Sequence, residues 1–169
     1  MGGENKEYSY IPGIIDWIQE NALLADVQIK WHMIWAYSTD CELWSYMYHD
    51  YDQLKMYDNI IKATNQYILP NEDFSGIIPC GTSIQNGRTS LIGDNFNEPA
   101  SSGDGYHLNT KYGDYTGSLT WACYFSGKDA SIMADYRPSG MTDAEFAAIA
   151  EAVNNALETP LAVTESTHK

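Results

Sequence analysis

The sequence predicts an α/β fold, a parallel sheet wound by helices, in a single domain over residues 1–169. Three observations carry this. Hydrophobic spacing switches along the chain between the helical period and strict alternation. Two strand-like stretches, Asp26 to Tyr37 and Phe74 to Cys80, are separated by a helical stretch long enough for a parallel crossover. A length of 169 residues with 44% apolar side chains suits one buried core and argues against disorder of the whole.

Tyr8 to Asn21 sets Ile11, Ile14, Ile15 and Ile18 at helical spacing, in a helix entered near Pro12. Asp26 to Tyr37 alternates, with Val27, Ile29, Trp31, Met33, Trp35 and Tyr37 on one parity and Gln28, Lys30, His32, Ile34 and Ala36 on the other. Its far end is therefore apolar on both faces. Ser38 to Asp50 is an irregular, aromatic-rich connection, and Tyr51 to Leu69 returns to a helix through Leu54, Tyr57, Ile60, Ile61 and Tyr67, stopped by Pro70. Phe74 to Cys80 reads as a short buried strand. Gly81 to Ser90 begins as a helix N-terminus would, with Thr82 or Ser83 as its cap. Asp94 to Gly105 is a loop of Asn, Pro, Ser and Gly. Tyr115 to Phe125 reads as a buried helix, and Thr142 to Leu157 as an Ala-rich one closed by a Thr142–Glu145 capping box. Ser131 to Pro138 has no decisive pattern, and Val163 to Lys169 reads as a frayed, disordered tail. A parallel sheet of two strands leaves unpaired edges, so the pattern looks like the later part of a larger sheet that lacks its N-terminal strands.

Charge removes two classes of partner. With 23 acidic against 9 basic residues and a formal charge of −14, the chain has no electrostatic grip on nucleic acid or anionic lipid. No apolar run approaches the ~20 residues that span a bilayer, and the first residues lack the basic start and apolar core of an export signal. Cys41, Cys80 and Cys123 form neither a zinc pattern nor a disulfide framework and read as buried thiols, so no metal and no cofactor is expected. The 13 Tyr and 5 Trp suit sugar or peptide surfaces as well as a core.

The chemistry concentrates at Asp104-Gly105-Tyr106-His107. A carboxylate three residues before an imidazole, in a segment of turn formers, can reach Nδ1 and leave Nε2 to take a proton from a nucleophile. That is half of a hydrolase triad. The other half is missing, since no Gly-x-Ser-x-Gly elbow or Gly-Asp-Ser-Leu type block follows a buried strand. Trp35 and Tyr37 lie at a strand end, where open α/β sheets bind ligands, and are candidates for a substrate pocket wall together with Gln85 and Tyr106. Gln85 and Arg88, one helical turn apart, face the site or solvent on this reading. His32 reads as a satisfied structural histidine. Tyr46, Tyr48, His49, Asp50 and Asp52 form an aromatic and acidic cluster without the spacing of a calcium loop.

Four stretches together resemble the SGNH (GDSL-like) hydrolase superfamily, in a branch frequent in gut Bacteroidetes. They are Trp31-His32-Met33-Ile34-Trp35-Ala36-Tyr37, Ile78-Pro79-Cys80-Gly81-Thr82-Ser83-Ile84-Gln85-Asn86-Gly87-Arg88, Asp104-Gly105-Tyr106-His107-Leu108-Asn109 and Tyr136-Arg137-Pro138. The resemblance covers about Tyr8 to Pro160. It implies a flavodoxin-like three-layer α/β/α domain, a catalytic pair at Asp104 and His107, and hydrolysis of small esters or carbohydrate O-acetyl groups through a serine ester. It also implies a periplasmic or extracellular setting. The family's serine and oxyanion blocks match nothing in this chain, which resembles the C-terminal portion of such an enzyme, inactive alone. A missing N-terminal part or a homo-oligomer would then cover the sheet edge.

Other readings stand beside this one. Asp104 also fits a loop or helix-capping carboxylate, and His107 a core histidine. A noncatalytic remnant of the fold that binds a glycan or a protein through its aromatic face fits the composition. A Cys-dependent hydrolase would pair Cys80 or Cys123 with His107.

Overall fold

The computed structural model describes residues 9–46 and 52–169. Helix α1 (Ile11–Asn21) carries Pro12 in its first turn, where a missing N–H costs nothing. Strand β1 (Ile29–His32) follows, then a short helix α2 (Leu43–Tyr46) and helix α3 (Gln53–Ala63), which runs on through a π-helical turn at Thr64–Ile68. Asp52 caps α3 by accepting from the Lys55 amide at 2.8 Å. Strand β2 (Phe74–Ile78) leads into α4 (Cys80–Arg88). A hairpin-like loop and a π-helical turn, Thr110–Asp114, precede α5 (Tyr115–Ser126), and a 3-10 segment, Ala130–Tyr136, separates it from α6 (Asp143–Glu158). The Tyr48, His49 and Asp50 part of the aromatic and acidic cluster lies outside the described residues.

The architecture is mixed α/β, with a parallel two-stranded sheet among the described residues. Ile29 pairs with Phe74, Trp31 with Ile77 and His32 with Ile78, with an irregularity between Ile29 and Trp31. So small a sheet offers its helices little surface, and the main core sits among the helices. Ile84, Phe96, Leu119, Met141, Phe146, Ile149 and Val153 pack together from α4, the loop, α5, the turn before α6 and α6 itself. Helix α4 is buried along nearly its whole length, which explains its small residues. A Cβ on Gly81 would fall 2.0 Å from the Ile34 carbonyl oxygen, and one on Gly87 would fall 2.4 Å from the Phe96 ring.

Three sequence expectations change. The strand expected over Asp26 to Tyr37 is regular only over Ile29–His32, and the ladder ends where Met33 N donates to Ile78 O at 3.0 Å and Met33 O accepts from Gly81 N at 3.0 Å. Beyond Met33 the alternation fails: Ala36 and Ser38 are buried while Ile34 is exposed. Thr82 and Ser83 do not cap α4, which starts at Cys80 after Pro79. Both are buried and bond across the fold, Thr82 Oγ1 to Pro160 O at 2.5 Å and Ser83 Oγ to the Thr120 hydroxyl at 2.8 Å. The tail expected to fray is laced down, with Thr164 N on Asn86 Oδ1 at 2.7 Å, Ser166 N on Thr89 Oγ1 at 2.8 Å and Leu91 N on His168 O at 2.8 Å. The Asn86 and Thr89 side chains thus offer acceptors to the tail's amides, and Lys169 Nζ donates to the Thr89 carbonyl at the end of α4 at 2.6 Å. The capping box of α6 is present as expected: Thr142 Oγ1 accepts from Glu145 N at 3.2 Å, and Glu145 Oε2 accepts from Thr142 N at 2.6 Å.

Candidate functional site

Phe96 to Asn109 folds back on itself as a narrow hairpin-like loop. Asn97 and Leu108 form an antiparallel bridge, Glu98 N donates to His107 O at 2.8 Å, and Asn109 N donates to Phe96 O at 3.0 Å. The fully buried Phe96 roots it in the core. Near its tip Gly105 adopts φ +77°, and a Cβ there would lie 2.7 Å from Cys41 Cα and 2.8 Å from Ser38 Oγ. Only glycine satisfies both the backbone and the contact. The Gly105 carbonyl accepts from Ser38 N at 2.8 Å, which presses the loop onto the chain leaving β1.

This placement brings Asp104 and His107 together. His107 Nδ1 lies 2.6 Å from Asp104 Oδ2, and Asp104 Oδ1 accepts from the amides of Tyr106 and His107, each at 2.9 Å. Desolvation pushes the Asp104 carboxyl upward, but the two amides and the imidazole overcome it and hold the group down at about 2. An ionised Asp104 can only accept, so Nδ1 carries the proton and Nε2 presents its lone pair. The imidazole is 70% exposed, and Nε2 has no partner among the described residues. This excludes the core-histidine reading of His107. The pair can orient an imidazole and stabilise its cation, which is what a general base requires of its carboxylate.

An aromatic cluster adjoins it through Tyr106. The Tyr106 ring lies 4.5 Å from the His107 ring and 5.6 Å from Tyr37, which also lies 5.7 Å from Trp44. Trp35 Nε1 donates to the Tyr106 carbonyl at 2.9 Å. Trp35 and Tyr37 are thus gathered on Tyr106, which lies against His107, whereas Gln85 is buried at 4% exposure and accepts from Arg88 Nη1 at 2.9 Å. Arg88 faces neither the imidazole nor solvent. Its guanidinium, 4% exposed, donates from Nη2 to Ala36 O at 2.8 Å and to Asn97 Oδ1 at 2.6 Å, while Nε sits 2.9 Å from Asp94 Oδ1. The Asp94 contact is an ion pair whose angle misses a hydrogen bond. Asp94 in turn accepts from Thr39 N at 2.7 Å and Gln53 Nε2 at 2.8 Å. Neither Asn97 nor Asp94 stands out in the sequence, where both read as loop polarity.

His32 takes no part in the pair. It is half-buried, its Nδ1 accepts from Trp121 Nε1 at 2.9 Å, and burial pulls its pKa down. Cys41, Cys80 and Cys123 are free and buried, and burial pushes the Cys80 thiol up to about 12 and the Cys123 thiol upward. Neither is a thiolate near neutral pH, so the Cys-dependent reading loses its nucleophile. A shallow cavity of about 410 Å³ lined by Tyr124, Lys128, Asn154 and Glu158 contains neither member of the Asp-His pair. Among the described residues no three His, Cys, Asp or Glu side chains gather as a metal site, and no helix is long and apolar enough to cross a membrane.

The fold and site define a mixed α/β domain that presents an exposed imidazole paired with a carboxylate. The chain belongs to a family described as a domain of unknown function, DUF4886, whose profile matches residues 2–156. A crystal structure of a DUF4886 family protein from Bacteroides uniformis is similar over 95% of this chain, at 33% identity and a TM-score of 0.82. This chain spans 59% of that relative's length. No curated protein matches it.

Proposed function

We propose that this chain is the dyad-bearing portion of a serine ester hydrolase of SGNH type, acting on acyl esters or carbohydrate O-acetyl esters. The observation that carries the reading is the 2.6 Å contact between His107 Nδ1 and Asp104 Oδ2, with the imidazole open to solvent on its other side. In the proposed reaction a serine from outside the described residues attacks the ester carbonyl and its proton passes to His107 Nε2. The imidazolium, steadied by Asp104, then protonates the departing alcohol, and water releases the acyl group by the reverse proton path. Trp35, Tyr37 and Tyr106 form the adjoining wall on which a sugar ring stacks. In this proposal the two-stranded sheet belongs to a three-layer α/β/α sandwich, completed by further strands of a longer protein or by a second copy that covers the sheet edge. The reading is supported by the four resembling stretches and by a relative longer than this chain.

The test is hydrolysis of p-nitrophenyl acetate and of an O-acetylated oligosaccharide, by this chain and by the chain extended through any open frame upstream of the Met1 codon. Activity in the extended protein that disappears in His107→Ala supports the proposal. Activity in the short chain places the nucleophile within it and overturns the division of the triad. A stop codon upstream, or inactivity of both proteins with polysaccharide retention unaffected by His107→Ala, replaces the hydrolase reading with that of a noncatalytic binding remnant.

A further inference from the structure

The peptide unit between Tyr106 and His107 is held at both of its polar ends. Its N–H donates to Asp104 Oδ1 at 2.9 Å. Its carbonyl accepts from Trp35 Nε1 at 2.9 Å and from Asn97 Nδ2 at 3.1 Å. Asn97 is 3% exposed, and its amide can lie only one way: a guanidinium has no acceptor, so Oδ1 must meet Arg88 Nη2 and Nδ2 must meet the carbonyl. Arg88 is in turn fixed by Gln85, Ala36 and Asp94. A continuous line of partly buried hydrogen bonds therefore runs from the C-terminal end of α4 to the backbone of the exposed imidazole.

We infer that Asn97 is a positioning residue for His107: braced by Arg88, and together with Trp35, it fixes the Tyr106–His107 peptide plane and hence the approach of Nδ1 to Asp104. The physical reason is that the imidazole itself has little to hold it. The ring is mostly exposed, and its hydrogen bond to a partly solvated carboxylate competes with water. Rotation of the peptide plane swings the Cα–Cβ bond of His107 and breaks the amide bond to Asp104 in the same motion. A carbonyl held by the buried Asn97 amide and the half-buried Trp35 indole resists that rotation, because both donors would lose a partner where water reaches them poorly. The importance of this brace for catalysis rests on the hydrolase reading, but the brace is measurable without any substrate.

The experiment is nitrogen-15 NMR of the His107 ring and hydrogen exchange of the His107 amide. It compares the unmodified protein, Asn97→Leu, Trp35→Phe and a control, Val153→Ala, which trims the helical core and leaves the brace intact. Asn97→Leu keeps the side-chain volume, and Trp35→Phe keeps an aromatic ring while removing the indole donor. The expected result is loss of the Nδ1-protonated tautomer in both brace variants, with exchange of the His107 amide about tenfold faster. Val153→Ala, although destabilised, keeps the tautomer. A tautomer unchanged in Asn97→Leu and Trp35→Phe overturns the inference, as does one lost equally in Val153→Ala, because the effect would then follow stability alone. Tautomer loss in the brace variants, in a protein whose upstream-extended form is also without esterase activity and whose polysaccharide retention is unaffected by His107→Ala, leaves the brace standing and removes the hydrolase reading.

Discussion

One carboxylate grips His107 at two points: Asp104 Oδ2 meets the ring at Nδ1, and Oδ1 meets the backbone amide of the same residue. Ring and backbone are therefore set by a single side chain, and the two contacts can be separated by substitution. Asp104→Asn keeps an oxygen for the amides but loses the charge that stabilises an imidazolium. Made in the extended protein, this variant's hydrolytic kcat should fall by about 10³–10⁴-fold, with KM little changed. His107→Ala should lose at least as much, and the double variant no more than the worse single one, because residues acting as a unit are not additive. A double variant whose losses multiply would show that the two act separately.

The same grip sets an acid limit. The Asp104 carboxyl is held at about 2, below the roughly 3.9 of an unfolded Asp, so between these values the unfolded chain binds more protons. The stability contributed by Asp104 is complete above about pH 4 and is lost as pH falls through 2. Glu145, held at about 2 first by the Thr142 amide and then by Tyr112, adds to the same window. In urea melts, the stability gap between the unmodified protein and Asp104→Asn should be widest near pH 5 and close toward pH 2. A gap independent of pH would mean that the charge is not what holds the loop.

Gly105 and Gly127 provide a matched comparison. Both sit at positive φ, +77° and +65°, but a Cβ meets Cys41 and Ser38 at Gly105 and nothing within 4 Å at Gly127. Gly127→Ala should cost about 1–2 kcal/mol, the left-handed penalty alone. Gly105→Ala carries that penalty plus the clash and should cost roughly 2–4 kcal/mol. It should also shift the His107 ring resonances, which Gly127→Ala leaves in place. Equal losses of Tm in the two variants would refute the close approach of the loop to residues 38–41.

The parts of this molecule that can be read from its sequence are those decided within a few residues. Asp104 and His107 meet across one turn, Thr142 and Glu145 close their capping box at the same spacing, and Pro70 ends the helix before it, so local chemistry suffices for each. What escapes is decided across the fold. Thr82 and Ser83 have the right residue types for a cap but are claimed by Pro160 and Thr120, which lie far away in sequence. The alternation that suggests a strand to Tyr37 continues in the residues and not in the backbone, because Gly81 of α4 abuts the chain at Ile34. Gln85 and Arg88 read as facing the site or solvent until Asp94 and Asn97 arrive from the loop to receive the guanidinium. A buried charge is expensive, and no short sequence pattern announces the distant groups that make it tolerable.

Arg88 and Asp94 allow that tolerance to be measured. Burial pulls the guanidinium down to about 10 while Asp94 opposes the shift, so Arg88 stays charged at neutral pH and must be paired. Breaking a buried pair from one side leaves the other charge stranded, and Arg88→Met should cost about 3–5 kcal/mol. Asp94→Asn should cost less, since Asp94 is 27% exposed and its amide replacement still offers an oxygen to the cation. If Arg88 served only to neutralise Asp94, the double variant would recover most of the loss, as apolar replacements of buried pairs often do. Here Gln85 Oε1, the Ala36 carbonyl and Asn97 Oδ1 also depend on the guanidinium, and Asp94→Asn does nothing for them. The double variant should therefore stay within about 1 kcal/mol of Arg88→Met in urea unfolding. Recovery to the stability of the unmodified protein would show that the ion pair is all that Arg88 contributes, and that the contacts to Asn97 and the Ala36 carbonyl are incidental to the fold.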